Sequence, residues 1–212
     1  MIAKKIRMNA LKSLYTNNLI NYIKQIDPSL SLKQFQAQTY HQAVKRELVY
    51  KILPFVHSSK DVDILHKVRH FDENTYVVSQ KYDRGIDIVG DIDSTHTLLV
   101  HCKQNVNSPN ITKADIEHVV GLTALYKTKN FQKSSLSILA SPYTISDEAL
   151  KKMDDIPMNI AYAQVNDVPM SEIPIIDNTN VINLTRTTVL NGQLLNFFPN
   201  KFCSETFSMQ KT

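Results

Sequence analysis

Two cysteines among 212 residues, Cys102 and Cys203, are too few and too far apart for a disulfide framework. Neither belongs to a CxxC or a His/Cys ligand spacing, which argues against a zinc finger and makes a reducing compartment the simpler inference. The seven histidines form no HExxH pair; His66 and His70 are four apart but lack the metalloprotease glutamate between them, and the histidines read as surface groups. No run of about twenty apolar residues exists, so nothing spans a membrane, and no short apolar h-region marks a secretory signal. Internal repeats are absent as well. With only four glycines and 42% hydrophobic residues, the chain can bury a sizeable core.

Acidic residues are missing from one region altogether. Residues 1–26 hold Lys4, Lys5, Arg7, Lys12 and Lys24 without any Asp or Glu, while the remaining 186 residues carry 19 basic and 20 acidic side chains. The body is therefore close to neutral and the formal charge of +4 sits at the N-terminus. Ile2, Ile6, Leu11, Leu14, Leu19 and Ile23 alternate with those cations, in a pattern like that of a mitochondrial transit segment and of matrix import. The alternative is a basic amphipathic helix that packs on the domain or touches an acidic surface.

The densest pattern lies in residues 82–104, YDRGIDIVGDIDSTHTLLVHCKQ. Leu98, Val100 and Cys102 alternate with Leu99, His101 and Lys103, so a strand's period of two puts His101 and Lys103 on one face and Cys102 on the other. Ile86 and Ile88 flank Asp87, which should project opposite to two core residues. An acid on one strand and a lysine on the next can then meet. Alternating strand and helix patterns elsewhere in the chain suggest one α/β domain.

Gly85-Ile86-Asp87 followed by Leu99-Val100-His101-Cys102-Lys103 resembles the strand-strand signature of the Mrr-like branch of the PD-(D/E)XK restriction-endonuclease superfamily. YHQAVKRELVYKIL (40–53) resembles the opening helix with its acid, Glu47, and ITKADIEHVVGLTALY (111–126) the next helix. SSLSILASPYTISDEALKKM (134–153) is similar to the following strand, small-polar turn and helix, and MNIAYAQ (158–164) to a last strand. In its size, its FQAQTYHQAV opening and its basic N-terminus the chain is similar to the fungal mitochondrial proteins named for their requirement in respiratory growth. The resemblance implies a restriction-endonuclease-like fold, a mixed central sheet flanked by helices. It also implies phosphodiester hydrolysis with a divalent metal, Mg or Mn.

The residue types suit that chemistry. A hard cation needs an anionic oxygen, for which Asp87 is the candidate, and Lys103 beside it can orient water and stabilise charge developing on phosphorus. In the resembling family the middle residue of the triplet offers a backbone carbonyl to the metal, here that of Cys102, and the first a carboxylate or amide, a position held here by His101. Imidazole is softer and neutral, so the site loses one charge and suits Mn, Zn or Fe better than Mg. Glu47 could restore the charge, because Val44, Leu48, Ile52 and Phe55 form an inward stripe with Glu47 at its edge. Its other reading is a solvated acid paired with Lys51 at i,i+4. Asp87 could equally be a turn acid beside Asp83, Asp91 and Asp93, Lys103 a strand-end cation, and Cys102 a small core residue.

Nucleic acid, specifically mitochondrial DNA, is the partner this reading implies. Lys81 and Arg84 beside Asp87, and Lys127, Lys129 and Lys133 around Phe131, are candidate phosphate contacts, although such loops are as readily just solvated. The layout expected is a basic segment (1–26), a linker opened by Asp27-Pro28-Ser29 (27–39), the nuclease-like domain (40–165) and a partly irregular extension (166–212), with possible edge strands at 173–176 and 181–184, a final hairpin or helix at 187–198 around Asn191-Gly192, and a frayed end. Two functions fit: a metal-dependent nuclease of mitochondrial genome maintenance, or a catalytically degenerate descendant that binds nucleic acid or scaffolds a complex. A fusion of residues 1–30 to a fluorescent reporter is expected to enter mitochondria; a reporter that stays cytosolic contradicts the matrix placement.

Overall fold

The computed structural model describes residues 31–56, 75–77, 85–104, 109–128, 132–167 and 192–207. They divide into two compact units, the first holding Ser31–Tyr40 and the second the described residues from His41 onward. In the first, Ser31 N–H and Oγ–H donate to Gln34 Oε1 at 2.8 and 2.7 Å, and Gln34 N–H donates back to Ser31 Oγ at 3.3 Å. That reciprocal capping box opens helix α1, Leu32–Lys51, within the stretch expected to be linker. The short helix α2 spans Leu53–Val56.

The second unit is built on a six-stranded mixed sheet. Strands β1 (Thr75–Val77), β2 (Ile88–Asp91) and β3 (His96–Cys102) form an antiparallel run, β1 against β2 and β2 against β3. After the two-residue β4 (Asn110–Ile111) and helix α3 (Lys113–Lys127), strand β5 (Ser134–Ser141) lies parallel to β3. The two-residue β6 (Thr144–Ile145) pairs with β4, apart from the main sheet. Helix α4 (Asp147–Asp154) leads to β7 (Ile160–Val165), parallel to β5. Strand β8 (Leu194–Pro199) closes the far edge antiparallel to β7, and α5 (Lys201–Thr206) follows it. This is the mixed α/β sheet flanked by helices that the resemblance implies.

Local chemistry explains where the elements begin. Thr112 N–H donates to Asp115 Oδ2 at 2.8 Å at the head of α3, and Ser146 Oγ accepts from Ala149 N–H at 3.2 Å at the head of α4. Asp147 and Glu148 occupy the first turn of α4 and Lys151 and Lys152 its last, matching the helix dipole. Strands β5 and β7 are buried almost throughout, as parallel strands covered on both faces must be.

Register sorts the core into two faces. Leu139 and its partner Tyr162 lie with Ile116 and Val119 of α3 and Ala149 and Met153 of α4. Ser137, on the same face, accepts from Thr123 Oγ1 at 2.7 Å. Ile138, Ala140, Ala161 and Ala163 alternate with these, point to the opposite face and are also fully buried. Of the stripe read on α1, Val44 and Leu48 are buried and Ile52 partly so, while the Phe55 side chain lies outside the described residues.

Residues 192–207, in the partly irregular extension where a final hairpin or helix is expected at 187–198, contribute an edge strand and a helix to this unit. Asn200 holds that corner. Fully buried, it accepts from Cys203 N–H at 2.8 Å as the cap of α5, while its Nδ2 reaches the carbonyls of Met153, Ile156 and Met158 at 2.9–3.0 Å. The tail expected to fray is thus helical as far as Thr206 and buries Cys203. Residues 1–30 and the segments 173–176 and 181–184 lie outside the described residues. Asn200→Ala removes a cap and a buried amide that serves three carbonyls, so urea unfolding should show a loss of roughly 2–4 kcal/mol; an unchanged midpoint would refute the corner's importance.

Candidate functional site

Asp87 stands one residue ahead of β2, between the buried Ile86 and Ile88. Its N–H donates to Val100 O at 2.8 Å, and its own Oδ2 accepts the N–H of Cys102 at 2.6 Å. The carboxylate is therefore fastened to the end of β3 by backbone at both ends of the residue. Oδ2 also lies 3.4 Å from His101 Nδ1, and Oδ1 lies 3.6 Å from His41 Nε2 on α1. His101 Nδ1 makes a short contact with Gly85 O besides. Both of its neighbours are acceptors, so this nitrogen carries the ring proton.

Gly85 is what allows that contact. Its φ of +102° lies where L side chains are rarely found, and an added Cβ would meet the Leu122 side chain at 3.2 Å. The turn delivers the Gly85 carbonyl to His101 and, two residues on, the Asp87 carboxylate to Cys102.

The sheet register then separates the triplet. His101 pairs with Leu139 and so faces α3, where its ring lies 5.3 Å from that of His118. Burial, with the charges of His101 and Lys103 in support, pushes the His118 pKa down. Lys103 is also engaged by α3, through an ion pair from Nζ to Asp115 Oδ1. Burial works to raise the Asp115 pKa, but Lys103 and the Thr112 donors outweigh it and hold the carboxyl below its usual range. The Lys103 main chain is locked too, its N–H donating to Ala140 O and its carbonyl accepting from Ser141 Oγ, each at 2.8 Å. Among the described residues no ion pair joins Lys103 to Asp87. The two groups expected to act together look to different partners.

Cys102 pairs with Ala140 and turns to the face away from α3, as its alternation implied. There it is more than a space-filler. Its Sγ, an Asp87 carboxylate oxygen and a ring nitrogen of His41 all lie within 4.8 Å of one another. Burial and then the Asp87 charge push the thiol pKa well above its ordinary range. The Cys102 N–H and sulfur both lie beside Asp87.

Glu47 is elsewhere. It is 5% exposed, and Oε2 takes Lys51 Nζ at 2.6 Å and Leu194 N–H at 2.8 Å, while Oε1 lies 3.3 Å from Arg46 Nη2. Arg46 reaches on to Gly192 O at 3.0 Å. Of the two readings open from the sequence, the pair with Lys51 is present, but Glu47 itself is buried and ties α1 to the start of β8 through the Leu194 N–H. His41, six residues earlier, is the side chain that α1 presents to Asp87. Sequence reading had put it among the surface histidines. The missed signal was spacing: His41, Val44 and Leu48 share one helical stripe at intervals of three and four.

Lys133 pairs with Asp91 at 2.9 Å, and Lys127 lies in the last turn of α3. Lys81, Arg84 and Lys129 lie outside the described residues, as do His66 and His70.

The family model described as Required for respiratory growth protein 7 matches residues 50–205. That span takes in Asp87 and the His101-Cys102-Lys103 triplet, whereas His41 and Glu47 precede it. No curated protein and no solved structure matches the chain.

Burial works to raise the Glu47 pKa, but Lys51, Leu194 N–H and Arg46 prevail and keep it below the usual value. A depressed carboxyl stabilises the fold above its unfolded pKa of about 4.3, and that stability is lost as pH falls through the folded value. Glu47→Gln should therefore cost about 1–2 kcal/mol at pH 7 in urea unfolding, with the gap to wild type closing below about pH 4. A gap that is the same at every pH would show that charge is not what Glu47 contributes.

Proposed function

Since the chain belongs to the Required for respiratory growth protein 7 family, with the role in respiratory growth and in mitochondria which that carries, we propose that it is a nuclease-like protein of mitochondrial genome maintenance. In this reading it acts in the matrix on mitochondrial DNA by metal-dependent phosphodiester hydrolysis. One observation carries it: Asp87 sits at the end of β3 with its carboxylate on the Cys102 N–H and beside His101. An acid before one strand is thereby joined to the triplet that ends the next.

A bound divalent cation would supply a Lewis acid for a phosphoryl oxygen and a more acidic water. The donors around Asp87 do not suit Mg, which demands oxygen ligands; one carboxylate, an imidazole and a thiol suit a softer ion. The chain's own contributions are clearer. Asp87 offers a pre-set carboxylate, because the Cys102 N–H and the His101 Nδ1–H restrain its rotation. Lys103, held at the same strand end by two backbone hydrogen bonds, keeps a cation close to where a phosphate would approach.

The pair of Lys103 with Asp115 and the burial of Glu47 beneath β8 favour a second reading. Here the fold is catalytically degenerate and serves to bind nucleic acid or to scaffold a complex. Cleavage of supercoiled and linear DNA by the purified full chain, with Mg, Mn or Zn, separates the two. The hydrolytic reading expects cleavage that Asp87→Ala lowers about 100-fold or more while the far-UV spectrum is kept. Wild-type protein that shifts DNA in a gel without cutting it under any of these ions establishes the second.

A further inference from the structure

Three donors of different chemistry converge at the end of β3 from segments distant in the sequence. His41 comes from α1, Asp87 from the turn before β2 and Cys102 from the last position of β3. We propose that His41 Nε2, Asp87 Oδ1 and Cys102 Sγ form a site for one zinc-class transition-metal ion.

Ligand type points first to that class. An imidazole and a sulfur exclude Mg and Ca as natural occupants, and a nitrogen, oxygen and sulfur set suits Zn, Fe or Co. Bond lengths of about 2.0 Å to nitrogen and oxygen and 2.3 Å to sulfur make the edges of a tetrahedral site roughly 3.3–3.6 Å long. His41 Nε2 and Asp87 Oδ1 already lie 3.6 Å apart, and a ring nitrogen of His41, a carboxylate oxygen of Asp87 and the Cys102 sulfur all lie within 4.8 Å of one another. Closing the remaining edges takes a movement of about 1 Å, within the reach of side-chain rotation.

The surroundings are those of a supported ligand set. Asp87 Oδ2 is occupied by the Cys102 N–H, which leaves Oδ1 on the side of His41. His101, whose Nδ1–H lies against Asp87 and Gly85 O, holds the carboxylate from behind, as outer partners of metal-bound carboxylates do. Access is sufficient, since the His41 and Asp87 side chains are 12% and 16% exposed and Cys102 is partly buried. Charge also balances. As the metal–sulfur bond forms, the S–H bond breaks and its proton leaves to solvent, so a carboxylate and a thiolate together offset a divalent ion. Three protein ligands leave a fourth position open, which distinguishes this set from a closed four-ligand structural site.

The site does not depend on the hydrolytic reading. The metal-stripped full chain titrated with Co(II) should take up one equivalent, with a near-ultraviolet thiolate-to-cobalt band and visible bands of a tetrahedral ion. Both should vanish in Cys102→Ser and His41→Gln and persist in Cys203→Ala. His101→Ala, a positioning change, should weaken Co(II) affinity about tenfold while the thiolate band remains. Wild-type protein provides a readout free of folding effects: Zn should slow alkylation of Cys102, read by peptide mapping, and EDTA should restore it. Absence of Co(II) uptake, uptake without a thiolate band, a band that survives in Cys102→Ser, or alkylation of Cys102 indifferent to Zn overturns the proposal. None of these measurements involves DNA, so their failure and a failure to cleave are separate results.

Discussion

A single hydrogen bond, from the Cys102 N–H to the Asp87 carboxylate, determines what the end of the sheet can do. At 2.6 Å between a backbone donor and a charged acceptor it belongs to the stronger kind, contributing about 1.5–3 kcal/mol. It places the acid in line with β3 and not over one face. From there the carboxylate addresses both sides, with Oδ2 near His101 on the α3 face and Oδ1 near His41 on the other, where the Cys102 sulfur completes the cluster. The β3–β5 ladder enforces the division, because consecutive residues of a strand must point opposite ways.

Charge compensation follows the same division. Lys103 is met by Asp115, Lys133 by Asp91 and Glu47 by Lys51 and Arg46, so each of these charges has its counterpart in place. Asp87 differs, having two imidazoles and an N–H for company. It is consequently the acid on which the proposed metal site is built. Replacement of an acid or amide by His101 at the head of the triplet moves the locality toward softer ligands, and His41 and Cys102 move it further.

Much of this could be read from residues close in sequence. The period-two run from Leu98 to Lys103 located β3, its two faces and the way Cys102 turns; the patterns at 111–126 and 134–164 located α3, β5, α4 and β7. The Gly85-Ile86-Asp87 turn next to that run pointed to the acid. What escaped was set by contacts across long separations. Glu47 lay on the expected inward edge, but its partner, the Leu194 N–H, comes 147 residues later. Strand β8 is half exposed and finds its register only against β7, so its pattern left hairpin and helix both open. The capping box of Ser31 and Gln34 was legible, yet the Asp27-Pro28-Ser29 turn ahead of it drew the reading toward a linker. No local motif relates His41 to Asp87 or Cys102; only the fold does.

The bond at the centre of this description can be observed directly as the backbone amide of Cys102 in 15N-labelled protein. An amide donating to a carboxylate at this distance should resonate well downfield, exchange slowly, and lose both properties in Asp87→Ala while the amides of Leu98 and Leu99 in the same strand keep theirs. A Cys102 amide that exchanges freely in the wild type, or that is indifferent to loss of the Asp87 side chain, would contradict the arrangement of the whole site.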